Sequence, residues 1–254
     1  MTEPPVRWQA LLVGVASSVH GHDRSFAQSL NSQLEFARAI ERNMPGLHED
    51  DLIVLPEPLR GNEVTAKLAE LNQQHDEDAE AGRARPGLLF YYCGHGMTHE
   101  DGRLYLSTVE TIDDDLNRRR TALALSDVLA EVRATAWRRP NVVLVLDCCF
   151  AGLACAEPAA SRAHLLMAVG PNTLATHDPD GIGPTHFTGA LVDLLRDGDP
   201  EAGPWIDLDT AYQWLAPRLV AQHGEQRRPH QRVVGQSGRI VLGRNCGTSE
   251  LTFG

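Results

Sequence analysis

The chain has 254 residues, 42% of them hydrophobic, five cysteines and a formal net charge of -11. That length and apolar content allow one large α/β domain or two small ones and exclude global disorder; the negative charge argues against a nucleic-acid backbone as partner. No stretch approaches the roughly 18–20 apolar residues of a membrane span, the first seven residues lack the basic start of a signal peptide, and an odd number of cysteines suits no disulfide scaffold. A cytoplasmic protein with reduced thiols and no membrane partner is expected.

Taken in chain order, an apolar strand over residues 10–16 precedes a helical pattern over 30–43. A short strand (52–55), a helix (63–75) and a loop (76–86) lead to a second continuously apolar strand over 88–92. A loop at 113–120 and a helix over 126–135 follow, then strands over 142–147 and 165–169 separated by the loop 153–162. The loop 178–184, helices over 188–195 and 208–222 and a last strand over 239–242 complete the pattern, with Ser126 and Thr188 as expected N-caps. Runs apolar at every position suit parallel strands covered on both faces. Their alternation with helices predicts βαβ units and an α/β fold: a mostly parallel six-stranded sheet with helices on both faces. No Pro/Gly/Ser-rich linker divides the chain, so one domain is expected over residues 8–244, with short tails at 1–7 and 245–254.

Two strand ends carry the chemistry. Phe90-Tyr91-Tyr92-Cys93 runs into Gly94-His95-Gly96, where flanking glycines leave the imidazole uncrowded and let the backbone approach a ligand. Val143-Leu144-Val145-Leu146-Asp147 runs into Cys148-Cys149-Phe150-Ala151-Gly152. Sites in open α/β sheets form beyond the carboxyl ends of strands, and a caspase-type cysteine has its histidine roughly 50 residues upstream. Either motif alone also suits a turn histidine or an inert buried thiol.

Together they resemble the caspase/metacaspase superfamily, and bacterial caspase-like effector peptidases in particular. The likeness extends to Leu11-Leu12-Val13-Gly14-Val15, Gly102-Arg103-Leu104-Tyr105-Leu106 and Phe187-Thr188-Gly189-Ala190-Leu191, and covers nearly the whole chain. It implies a cysteine endopeptidase with Cys149 as nucleophile, His95 as general base and the backbone N–H groups of Gly96 and Cys149 as oxyanion hole. The family pattern Asp-x-Cys-x-x-Gly selects Cys149 over Cys148, and strand alternation agrees, since residues two apart share a face. The resemblance also places Asp147 in a pocket for P1, the residue on the amino side of the cut bond, and so implies a protein or peptide substrate with Arg or Lys there; the alternative is that Asp147 caps the strand end or bonds a loop amide. The family's second acidic pocket residue has no clean match. Phe36 stands at its place, with Glu35 adjacent and Asp23 in the preceding loop, and Cys93 replaces the usual serine of the His turn.

No cofactor is expected, with calcium as the alternative that the family resemblance leaves open. Cys93, His95, Cys148 and Cys149 lack the spacing of a zinc site, and the clusters Asp76-Glu77-Asp78 and Asp113-Asp114-Asp115, the candidates for calcium, lack a calcium-loop pattern. Family resemblance suggests a regulated role in bacterial stress or anti-phage defence, switched by an activating partner protein, an upstream protease or self-cleavage. Arg162, with Arg118–Arg120 and Arg227–Arg228 as competitors, is the candidate self-cleavage site. The rival readings are a non-catalytic caspase-like scaffold that binds peptides and a nucleotide-binding protein; the latter lacks any phosphate loop.

Overall fold

The computed structural model describes residues 6–20, 26–136, 138–175, 181–234 and 240–247. Strand β1 (Trp8–Gly14) is buried at every position, as are β3 (Gly87–Cys93) and β7 (Val142–Asp147). A strand apolar on both faces is stable only with helices packed over each. These three strands lie side by side with β2 (Leu47–Pro56) and β8 (His164–Met167), all parallel. The sheet order is β10-β8-β7-β3-β1-β2, closed at one edge by the antiparallel strand β10 (His230–Arg232). One face carries α1 (Ala27–Asn43), α5 (His186–Asp197) and α6 (Leu208–His223), and the other carries α2 (Gly61–Glu80) and α4 (Leu125–Ala136).

The sixth strand differs from expectation. Residues 239–242 were expected in the main sheet; Arg239 lies outside the described residues, and β11 (Val241–Arg244) pairs instead with β9 (Trp205–Asp207) in a separate antiparallel ribbon. The sheet edge is taken by His230-Gln231-Arg232, a polar triplet with no apolar alternation to reveal it. A further small sheet joins β4 (Gly96–Thr98), β5 (Leu104–Leu106) and β6 (Leu123–Ala124), the last reached through the short helix α3 (Arg118–Thr121).

Other boundaries move for local reasons. Helix α2 continues through the acidic run to Glu80, because Asp76 and Asp78 find Arg138 and the pair Arg7 and Arg83. Helix α5 starts at His186, two residues before Thr188: Thr185 is the cap, and its Oγ1 accepts from the Thr188 N–H at 3.1 Å. Helix α4 starts at Leu125, so Ser126 is inside its first turn. The expected loop 153–162 folds into two 3-10 turns, Ala151–Ala156 and Pro158–Arg162. Arg7 and Asn245, assigned to the tails, are both held by the body of the chain: Arg7 by Asp51 and Asp78, and Asn245 by the carbonyls of Asp199 and Gly203.

Candidate active site

Parallel pairing of β3 with β7 sets Cys93 opposite Asp147, so the two motifs leave the sheet side by side at its carboxyl end. The backbones then stay in contact. The Gly94 N–H donates to the Asp147 carbonyl at 3.4 Å, and Gly96 lies so close to Cys149 that a side chain there would fall inside the Cys149 carbonyl. His95 stands between these two glycines. Its carbonyl is fixed by the Ser107 N–H (3.0 Å) and the Tyr92 hydroxyl (3.1 Å), and its exposed ring lies 5.3 Å from that of Phe26.

The two adjacent cysteines are sorted by burial. Cys148 is in the core at 1% exposure, and Cys149 is half-buried. Strand alternation is not the cause, because β7 ends at Asp147 and the chain turns at Phe150, whose φ of 59° is left-handed. Burial pushes the Cys148 thiol well above its ordinary value of 9.0. Burial also pushes the Cys149 thiol up, opposed in part by the positive charge of Arg227. At neutral pH Cys149 therefore rests as a thiol, 3.8 Å from the Ala175 carbonyl.

Asp147 is 3% exposed. One of its oxygens, Oδ2, accepts from the hydroxyls of Thr185 and Thr188, the latter at 2.6 Å, and Thr188 in turn bonds the Tyr91 hydroxyl at 2.8 Å. Cys93, fully buried, stands opposite Asp147 in the strand register. Burial raises the Asp147 pKa above 3.8, and the threonine hydrogen bonds work against it. The carboxylate thus ties β7 to the first turn of α5. It also lines a small cavity of about 20 Å³, with Ala175, His186, His223 and Arg227 among the other walls.

The remaining expected residues fall elsewhere. Glu35 does not line this cavity; it pairs with Arg38 at 2.8 Å on the outer side of α1. Phe36 is buried against Tyr91, ring centroids 4.7 Å apart. Asp23 lies outside the described residues. Arg162 is exposed but ends a 3-10 turn, and Arg232 donates to the Cys155 and Ala160 carbonyls of the same segment. Of the acidic clusters, Asp113 pairs with Arg118, and Asp114 accepts from the Leu116 and Asn117 amides. Thr185, Thr188, Ala175 and Arg227 were not anticipated at this site: Thr188 was expected only as an N-cap and within the likeness motif, and Arg227 only as a competing self-cleavage position. Only the signature Thr-x-x-Thr at the start of an apolar helix could have flagged the first two.

No family model matches the chain, and no curated protein matches it. Among solved structures it is similar to the crystal structure of caspase-1 from Spodoptera frugiperda, with 14% sequence identity, a TM-score of 0.67, and coverage of 94% of this chain and 91% of that one. The fold is therefore caspase-like: a six-stranded, mostly parallel sheet flanked by helices, with the Gly-His-Gly and Asp-Cys-Cys segments meeting at its carboxyl edge.

Proposed function

We propose that this chain is a cysteine endopeptidase in which His95 and Cys149 form a catalytic dyad. The observation that carries the reading is the joined backbone of the two motifs, with Gly96 packed on the Cys149 carbonyl and His95 held beside it. His95 takes the Cys149 proton as sulfur attacks the scissile carbonyl. The carbonyl electrons move onto oxygen, where the Gly96 and Cys149 N–H groups stabilise the charge. Collapse expels the amine, which takes the proton from His95 and leaves a thioester. Water, deprotonated by His95, then attacks the thioester and returns the thiol.

Asp147 supports a preference for Arg or Lys at P1. It is the acidic wall of a small cavity also lined by Ala175, whose carbonyl faces the Cys149 thiol, and a buried carboxylate rewards a paired cation. The Thr185 and Thr188 hydroxyls hold Oδ2 and so preset its orientation. A regulated role in bacterial stress or anti-phage defence, under an activating partner protein or an upstream protease, completes the proposal; the substrate is a protein or peptide. Self-cleavage after Arg162 requires its 3-10 turn to open, since proteases bind extended chain. A second reading, a non-catalytic peptide-binding scaffold, draws on the small cavity and the raised thiol.

One experiment separates the two. The protein is treated with a peptidyl chloromethyl ketone carrying P1 Arg, and the adduct is mapped by mass spectrometry. Modification of Cys149 that is lost in His95→Ala supports the peptidase; no modification under conditions that label an active control enzyme favours the scaffold.

A further inference from the structure

Residues 173–175 lie against the turn that carries Cys149, and each of their carbonyls is engaged. The Phe150 N–H donates to Thr173 O at 2.9 Å, the Arg227 guanidinium donates to Leu174 O, and the Cys149 thiol faces Ala175 O at 3.8 Å. The segment is thus stitched to the nucleophile's own turn on one side and to Arg227 on the other. The Leu174 side chain is 58% exposed, so apolar packing does little to hold it down.

The space this closure leaves is small. About 20 Å³ holds roughly one water molecule, and an arginine or lysine side chain does not fit. Arg227 forms part of the wall, together with Asp147. Among the described residues its guanidinium has no carboxylate partner, and Leu174 O is its side-chain acceptor. The adjacent Arg228 behaves differently, pairing with Glu225 on the surface at 2.5 Å. A cation held at a backbone carbonyl beside a buried carboxylate occupies the ground that a basic P1 side chain must enter.

We propose that Arg227 is a latch that holds residues 173–175 over Cys149, so that at rest closed chains outnumber open ones by about tenfold and release of Arg227 opens the site. The inference rests on Cys149 being the nucleophile. Arg227 sits on a short turn, Glu225–Arg227, that follows Gly224 at φ 86° and exposes Gly224, Glu225 and Gln226. A partner that grips this turn can withdraw the guanidinium without disturbing the sheet. Arg227 and Asp147 line the same small cavity, so withdrawal of the guanidinium frees space for a basic side chain and couples opening to substrate entry.

The latch has a signature that electrostatics alone would reverse. Removing a nearby cation raises the pKa of a thiol and slows its alkylation near neutral pH; removing a latch speeds it. The rate of iodoacetamide modification of Cys149 is therefore measured against pH in a Cys155→Ser, Cys246→Ser background, by mass spectrometry of the peptide carrying Cys149. The high-pH plateau reads access, and the midpoint reads charge. Arg227→Ala is expected to raise the plateau about tenfold, equivalent to about 1.4 kcal/mol, a size suited to one hydrogen bond from a charged donor. Arg228→Ala should leave the plateau within twofold of the parent. Arg227→Lys, which keeps a donor, should fall between the parent and Arg227→Ala, and guards against misfolding as the cause when melting temperatures agree. A plateau unchanged or lowered in Arg227→Ala overturns the latch, whatever the peptidase activity. A raised plateau with no cleavage of any peptide upholds the latch and counts against the peptidase reading instead.

Discussion

Gly96→Ala tests the contact on which the site is built. A Cβ at residue 96 would lie 3.1 Å from both the Cys149 carbonyl carbon and the Cys148 sulfur, and well inside the 3.0 Å limit from the Cys149 carbonyl oxygen. The obstacle is mainly backbone, so no rotamer change relieves it, and one strand end must move by about 1 Å. A misplacement of that size in a catalytic array costs about 100-fold in rate. The overpacking itself costs about 1–3 kcal/mol, which for a domain of this size lowers the melting temperature by roughly 2–4 °C per kcal/mol. Peptide hydrolysis and thermal melting are measured together, with Gly203→Ala as a control because nothing lies within 4 Å of its Cβ position. Folded Gly96→Ala with the parent's kcat/KM would show that this backbone contact has no part in the chemistry.

Three further outcomes follow from specific contacts. Asp147→Asn keeps the shape but loses the charge, so kcat/KM for P1 Arg peptides should fall at least about tenfold and stability by about 1–3 kcal/mol as the Thr185 and Thr188 hydroxyls lose a carboxylate acceptor; an unchanged P1 profile would remove Asp147 from specificity. Arg232→Ala frees the carbonyls of Cys155 and Ala160, and limited trypsin digestion should then cut faster after Arg162; a digestion rate equal to the parent's would show that Arg232 does not order that segment. His75 is fully buried, and burial depresses its pKa below 6.5 despite its bond to Asp76. Above pH 6.5 neither the folded nor the unfolded chain holds that proton. As pH falls below 6.5 the unfolded imidazole binds a proton that the folded one refuses, and stability is lost toward the folded pKa. Denaturant titrations across that window should therefore show a shallower loss in His75→Leu than in the parent, and equal slopes would contradict the assignment.

What the sequence revealed follows from where the physics was local. Strands β1, β3, β7 and β8 read clearly because both their faces are buried, which forces apolar residues at every position. The edge strand His230–Arg232 has no such constraint: three polar residues pair by backbone alone with β8. The glycines of the His turn were legible because Gly96 needs its missing side chain to let Cys149 approach. The partners of Asp147 were not, since Thr185 and Thr188 are 38 and 41 residues away and meet it only once α5 docks. Arg227 looked like a surface charge for the same reason: its contact with Leu174 spans 53 residues. The small-residue segment 153–162 read as an open loop, and the turns it forms are held by Arg232, about 70 residues on.

The most direct test of the account is a comparison of Cys149→Ala and Cys148→Ala on a positional-scanning peptide library. Both alanines remove one sulfur, but Cys148 is buried in the core and Cys149 stands half-exposed beside His95's turn. The parent is expected to cleave after Arg or Lys, Cys149→Ala to abolish cleavage, and Cys148→Ala to keep a large part of it with the same P1 preference. Cleavage surviving in folded Cys149→Ala, or robust cleavage after Asp by the parent, would contradict this expectation.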